Sequence, residues 1–343
     1  FQTALRLQDI CLCLLGCLWG SMVGVLPGIG PLAGIALLIP VTYGLDVTGA
    51  IIMLSGIYYG AMYGGSTTSI LMNIPGESAS IVTCLDGYQM TRKGRAGAAL
   101  FIAAWGSWVG GALSIVGIMF LAPILANVAM KFGPAEMFAL LLIAFFLLGS
   151  LGTSSFIKTM AMVIFGLLLG TVGMDALTGT LRFTFGIQDF YDGIGFVPVA
   201  MGAFGFGEIL SATEENMVRE VYKPRLRELF PNRAELRASW APILRGSGIG
   251  FLIGLLPGSA HILSSFVSYI TEKRLAKRPE EFGTGRIEGV AGPETANNAA
   301  TGGAMIPFLA LGIPTGPAMA VMMIALLIHG VRPGPLFISE QPQ

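Results

Sequence analysis

GGSTTSILMNIPGE, residues 64–77, is the stretch that decides how this chain is read. Ser66, Thr67, Thr68 and Ser69 put four hydroxyl side chains in a row, Asn73 follows, and Pro75-Gly76 cannot continue a helix. The residues just before it, 50–63, form an apolar run that reads as buried in lipid. Polar, irregular backbone at membrane depth is tolerated only where protein or a water-filled cavity surrounds it. A polar interruption of this kind is what a pathway for solute through a membrane requires.

The composition agrees. Of 343 residues, 54% are hydrophobic and only 12% charged, and the mean hydropathy is +0.74. A water-soluble surface needs about a quarter charged residues. Apolar segments of near-spanning length recur from end to end, which predicts an all-α, polytopic helical membrane protein in contact with the lipid bilayer. The 48 glycines and 19 prolines fall inside those segments, where glycine permits close helix packing and Gly/Pro pairs open the backbone. Net charge is zero, so no nucleic-acid partner is indicated. Cys11, Cys13 and Cys17 share one apolar segment and Cys84 stands apart, so they read as small hydrophobes rather than a metal site or a disulfide. The chain opens without Met, and its first apolar segment has neither a basic leader nor a small-residue cleavage site, so no signal peptide is read.

Spans are expected at residues 10–26, 35–41, 47–63, 137–148, 159–172, 193–210, 242–256 and 319–328, with 177–192 at an interface. The long apolar stretch 96–128 is interrupted near Gly110-Gly111 and Pro123 and is expected to form either a hairpin or one long tilted helix. Residues 212–245 carry seven Lys/Arg against five Glu and read as a charged cytoplasmic linker. The organisation is therefore a first transmembrane repeat at 1–211, the linker at 212–245, and a second repeat at 246–343. The repeat rests on two matches: GVLPG (24–28) with GLLPG (254–258), and Ile74-Pro75 with Ile313-Pro314. The latter register also superposes Gly64 on Gly303, Ile70 on Leu309 and Ala79 on Ala318. The link after the second LPG element, 271–288, is basic, while its counterpart 42–46 has no Lys or Arg. Equivalent links on opposite sides of the membrane imply inverted repeats with broken or re-entrant helices.

Where a membrane helix breaks, freed carbonyls can hold a cation and a helix N-terminus can hold an anion. The first break assigns a candidate substrate site to Gly28, Ser66, Thr67, Thr68, Ser69, Asn73, Pro75 and Gly76. The second assigns Gly258, Asn297, Asn298, Thr301, Gly302, Gly303, Pro314 and Thr315. The two breaks are expected to meet near mid-membrane and enclose one site. Basic residues are almost absent there, so an anion would be held by hydroxyls, amides and helix ends. Glu77 and Glu294 are the candidates for a coupling cation, a sodium ion or a proton; no other cofactor or metal is expected. His261 lies in the second LPG element and could carry a proton or touch substrate, while His329 reads as interfacial.

Enzyme motifs are missing: there is no HExxH, no GxGD to accompany Tyr191-Asp192, and no Lys-containing phosphate loop. GIGPLAG, residues 28–34, has the wrong spacing for a dinucleotide fingerprint. A passive channel, a non-transporting membrane scaffold and, more distantly, an intramembrane enzyme are the competing classes.

GVLPGIGP (24–31), YGGSTTSILMNIPGE (63–77), GYQMTRKGRAGAAL (87–100), GLLPG (254–258) and GPETANNAATGGAMIPFLALGIPTGPA (292–318) together resemble the large membrane subunit of the bacterial tripartite tricarboxylate transporters. The resemblance runs in order over nearly the whole chain. It implies a multi-pass permease of the bacterial inner membrane. Such a permease works with a small membrane subunit and a periplasmic solute-binding protein, and it imports citrate or another carboxylate on a cation gradient. It also implies membrane segments beyond the position of Phe337, so that the second repeat is expected to be truncated here.

Overall fold

The computed structural model describes residues 5–26, 29–129, 155–175, 179–191, 193–194, 230–256 and 260–334, with Ala135, Phe138, Ala139 and Leu142. The expected spans 137–148 and 193–210, Gly28 and Gly258 lie wholly or mainly outside these residues. Nine long helices are described: α1 (Leu7–Val25), α2 (Gly30–Thr42), α3 (Val47–Met72), α4 (Ala96–Ala129), α5 (Phe156–Gly170), α6 (Arg233–Gly254), α7 (Ala260–Leu275), α8 (Glu288–Leu311) and α9 (Pro317–Ile328). Residues 78–92 form a short irregular helical run that includes a π-helical turn, Cys84–Tyr88. Among the described residues a two-residue β-hairpin follows α5, Gly173–Met174 with Leu181–Arg182, in the aromatic stretch expected at an interface. Helices α1, α3 and residues 96–124 of α4 are long and apolar enough to cross a membrane.

Helix α8 is the axis of the described fold. Of its residues only Glu288, Leu309 and Leu311 escape burial, although it carries Glu294, Thr295, Asn297, Asn298 and Thr301. It is packed by α4, α6, α7 and α3, while α1 lies along α3. Outward-facing Leu14, Leu15 and Leu18 of α1 and Phe120 of α4 remain exposed, as a lipid-facing surface requires.

Small residues bring these helices to backbone contact. A Cβ at Gly16, Gly20 or Gly24 of α1 would collide with the backbone at Met53, Ile57 or Ala61 of α3. From the other side, Gly56, Gly60 and Gly64 meet the backbone of Cys13, Cys17 and Ser21. Between α6 and α8 the pattern recurs: Gly246, Gly250 and Gly254 meet Gly292, Ala296 and Ala300, and Gly303 meets Phe251. In lipid there is no hydrophobic drive to pair apolar helices, so such close approach is what holds the pairs together.

One expectation about breaks is resolved and another is corrected. Of the hairpin and the long helix, the long helix is found: α4 runs unbroken through Gly110-Gly111 and Pro123. There the glycines provide clearance, Gly110 for the backbone of Thr295 and Gly111 for the ring of Tyr59. Likewise Asn297, Asn298, Thr301, Gly302 and Gly303 sit inside continuous α8, not in a break, despite Pro293 and Pro307. Their polar groups bond along the helix: Asn298 Nδ2 donates to Glu294 O (3.1 Å), Thr301 Oγ1 to Asn297 O (3.2 Å) and Thr295 Oγ1 to Ala291 O (2.7 Å). Ser66–Ser69 similarly belong to the end of α3, with Asn73 its cap. Helix α6 begins at Arg233, within the stretch read as a linker, and its N-cap Asn232 forms a capping box with Glu235.

The true interruptions are short and alike. Asn73 caps α3 with φ 58°, and Gly312 caps α8 with φ 70°. Beyond each, the next amide closes the same backbone bond, Ile74 N–H to Thr68 O (3.4 Å) and Ile313 N–H to Pro307 O (3.2 Å), and a proline follows.

Candidate functional site

Glu294, near the middle of α8, has no exposed surface. Ser66 Oγ, from the end of α3, donates to its Oε2, and Thr83 Oγ1, from the irregular run 78–92, donates to its Oε1. Both carboxylate oxygens are thereby engaged by hydroxyls, and among the described residues no Lys, Arg or His bonds to it. Three segments far apart in sequence meet here. Asn298 extends the cluster to α4, where its Nδ2 donates to Ser107 Oγ (2.8 Å), and Asn297 presents an Nδ2 that is buried without a partner.

The first break folds back on α3 beside this cluster. Gly76 N–H donates to Gly65 O (3.1 Å), and Gly76 lies against Gly24 and Gly65 so closely that a side chain would not fit. Ser69 Oγ donates to Ser80 Oγ (2.8 Å), and Ser80 Oγ donates in turn to Glu77 O (2.8 Å). Glu77 packs its methylenes on Gly65 and leaves Oε1 buried without a partner, within electrostatic reach of Glu294. Thr68 bonds back to Gly65 O (3.2 Å), Thr67 and Pro75 are half-buried, and Asn73 is exposed.

The second break is anchored elsewhere. A Cβ on Gly312 would stand 2.6 Å from Pro333 O, and Gly334 N–H bonds to Leu309 O (3.0 Å). Pro314 is half-buried and Thr315 buried. What joins the two halves is thus a contact between helix interiors, Ser66 and Thr83 on Glu294. Gly302 contacts Ser114 and the hydroxyl of Tyr59, and Gly303 contacts Phe251 and Gly254.

Next to the cluster is a cavity of about 560 Å³ between α1, α3 and α4. It is mainly apolar, with Ser21, Ser55, Ser107, Asn298, Tyr59 and Tyr63 among its polar lining. His261 is taken up by Tyr58, whose hydroxyl lies 3.1 Å from Nε2. His329 stands half-buried at the end of α9. The four cysteines are free.

Thr83, Ser80, Ser107 and Asp86 were not singled out from sequence. Asp86 is completely buried and accepts from Gly285 and Arg286 N–H (2.7 Å each), Gly283 N–H (3.0 Å) and the Tyr269 hydroxyl (2.9 Å). It clasps the run 78–92 to the link between α7 and α8. Arg95 forms a two-pronged ion pair with Glu235 of α6, so the basic links of the chain gather together. Arg245 and Glu272 bridge α6 to α7 in the same way. The pattern G-x-G-R at 283–286 (Gly283-Thr284-Gly285-Arg286) was the available sequence sign of an anion-holding turn.

The described residues thus bury a polar seam among apolar helices of membrane-spanning character. The chain belongs to the tripartite tricarboxylate transporter TctA family, whose profile matches residues 10–343. It is 51% identical over 342 residues to an uncharacterised 52.8 kDa protein in the TAR-I ttuC' 3' region of Agrobacterium vitis, covering all of this chain and 68% of that protein. An uncharacterised protein in the TAR-II ttuC' 3' region of the same organism is 56% identical over 93 residues, 27% of this chain and 38% of the relative. No solved structure matches.

Proposed function

We propose that the chain is the permease subunit of a binding-protein-dependent secondary active transporter. It imports citrate or another carboxylate across the bacterial inner membrane with cation coupling, and it works with a small membrane subunit and a periplasmic solute-binding protein. The observation that carries this reading is the Ser66–Glu294–Thr83 contact, a fully buried polar junction between α3, the run 78–92 and α8 with no basic partner among the described residues. An ionisable group at such depth marks a substrate or ion pathway.

The organisation as two repeats draws support from register. Gly16, Gly20 and Gly24 precede Gly246, Gly250 and Gly254 by 230 residues, the offset of the LPG elements. Met53, Ile57 and Ala61, which they touch, precede Gly292, Ala296 and Ala300 by 239 residues, the offset of the Ile-Pro elements. Asn73 and Gly312, the two left-handed caps, share that second offset. Equivalent residues make equivalent contacts in both halves, as duplicated units do. Gathering of the basic links on one side supports assigning that side to the cytoplasm.

Within this reading the substrate's carboxylates are held by the hydroxyls and amides of residues 66–76 and 297–303, where the helix interiors meet, and Glu77 and Glu294 serve the coupling cation. The test is uptake of labelled citrate into vesicles that hold the permease with both partner subunits, with and without an imposed sodium or proton gradient. Gradient-dependent accumulation is expected. Uptake that merely equilibrates and ignores both gradients would identify a passive channel instead.

A further inference from the structure

We infer that Glu294, clamped by Ser66 and Thr83, is a proton-binding site, and that it selects a proton over a metal cation. The inference rests on the permease reading above and names the coupling ion within it. An isolated carboxylate without exposure costs too much to leave ionised unless something compensates it. Among the described residues two hydroxyls donate to the side chain, with the neutral amide of Asn297 beside it, and none of these groups carries a charge.

A hydroxyl differs from an ammonium or an amide N–H in being both donor and acceptor. With Glu294 ionised, Ser66 and Thr83 both donate to it. When one proton adds to a carboxylate oxygen, the hydroxyl facing that oxygen rotates about its C–O bond and accepts instead. In either protonation state both carboxyl oxygens keep a hydroxyl partner, so the clamp serves both. A metal ion would have to enter between oxygens that are already in direct contact, whereas a proton needs no added space.

Among the described residues no positive charge faces the site. Glu77 faces the site from the break, Tyr63 from α3 and Cys84 from the run 78–92, and none of them supplies positive charge. Helix α4 carries no titratable residue at all. On α7 His261 is engaged by Tyr58, and on α6 Arg245 is engaged by Glu272 of α7. Because Ser66, Thr83 and Glu294 sit on three separate segments, loading the proton changes how those segments are tied together.

Vesicles holding the complete complex are given a pH gradient or a sodium gradient. Wild type is expected to accumulate citrate on the pH gradient alone, and Glu294→Gln to lose that response. Thr83→Val should move the pH midpoint of uptake, and Thr83→Ser should move it less. A sodium gradient that drives accumulation at equal pH, or a Glu294→Gln variant that still follows the pH gradient, overturns the inference while leaving the permease reading intact. Infrared difference spectra of the purified protein decide the matter independently of transport. A protonated-carboxyl band that titrates with pH must be present in wild type and absent in Glu294→Gln. If the two spectra agree at every pH, Glu294 does not bind the proton.

Discussion

Replacing Asp86 by Ala removes one buried side chain but strands several groups at once. Its two oxygens satisfy three backbone amides, of Gly283, Gly285 and Arg286, and the hydroxyl of Tyr269. Hydrogen bonds to a charged acceptor contribute about 1.5–3 kcal/mol each, and an orphaned buried donor costs about 1–3 kcal/mol. The amides lie on a partly buried link that water can reach after a small shift, so the lower figures apply. The loss comes to roughly 3–5 kcal/mol. For a chain of this size that corresponds to a fall in melting temperature on the order of 10 °C. Asp86→Asn keeps one acceptor oxygen but turns an NH₂ toward amides that also donate, so about half the loss is expected. Thermal melts of the purified variants in one detergent measure the effect, and limited proteolysis at residues 277–287 reports whether the link has come loose. If Asp86→Ala melts with wild type and resists the protease equally, the clasp contributes nothing and the reasoning is wrong.

Asn73 separates a cap from a ligand: if its role is the left-handed turn at φ 58°, Asn73→Gly should transport like wild type while Asn73→Ala costs about 1 kcal/mol of stability, whereas a substrate-binding amide would be lost in both. Gly20→Leu drives a side chain into the backbone of Ile57 and should destabilise by about 1–3 kcal/mol or more, while Gly166→Ala, with open space around it, should leave the melt unchanged. Arg245→Ala strands the buried Glu272 carboxylate; because the arginine is 39% exposed, about 2 kcal/mol is expected rather than the 3–5 kcal/mol of a fully buried pair. The double replacement Arg245→Met with Glu272→Leu should melt higher than the single one, and a lower melt would contradict the pairing argument.

The division between what was legible and what was not follows the range of the forces involved. The lipid-compatible composition, the spans α1, α3 and α4, and the helix ends at Asn73-Ile74-Pro75 and Gly312-Ile313-Pro314 were readable because hydropathy and backbone stereochemistry act over a few residues. The sequence misread Gly110-Gly111 and residues 297–303 as interruptions, because a glycine or an asparagine carries no mark of whether it breaks a helix or clears space for a neighbour. That choice lies with the partner: Thr295 for Gly110, Ser107 for Asn298.

The candidate site divides in the same way. Sequence alone determined that polar groups had to be sheltered at membrane depth, and it named Ser66 and Glu294 separately. Only the tertiary structure brought Ser66 to Glu294 across 228 residues, added Thr83 to close the clamp, and used Asp86 to hold the run 78–92 against α7 and α8. A carboxylate's environment is a property of the three-dimensional packing around it, and no local pattern in the chain encodes which hydroxyl will arrive.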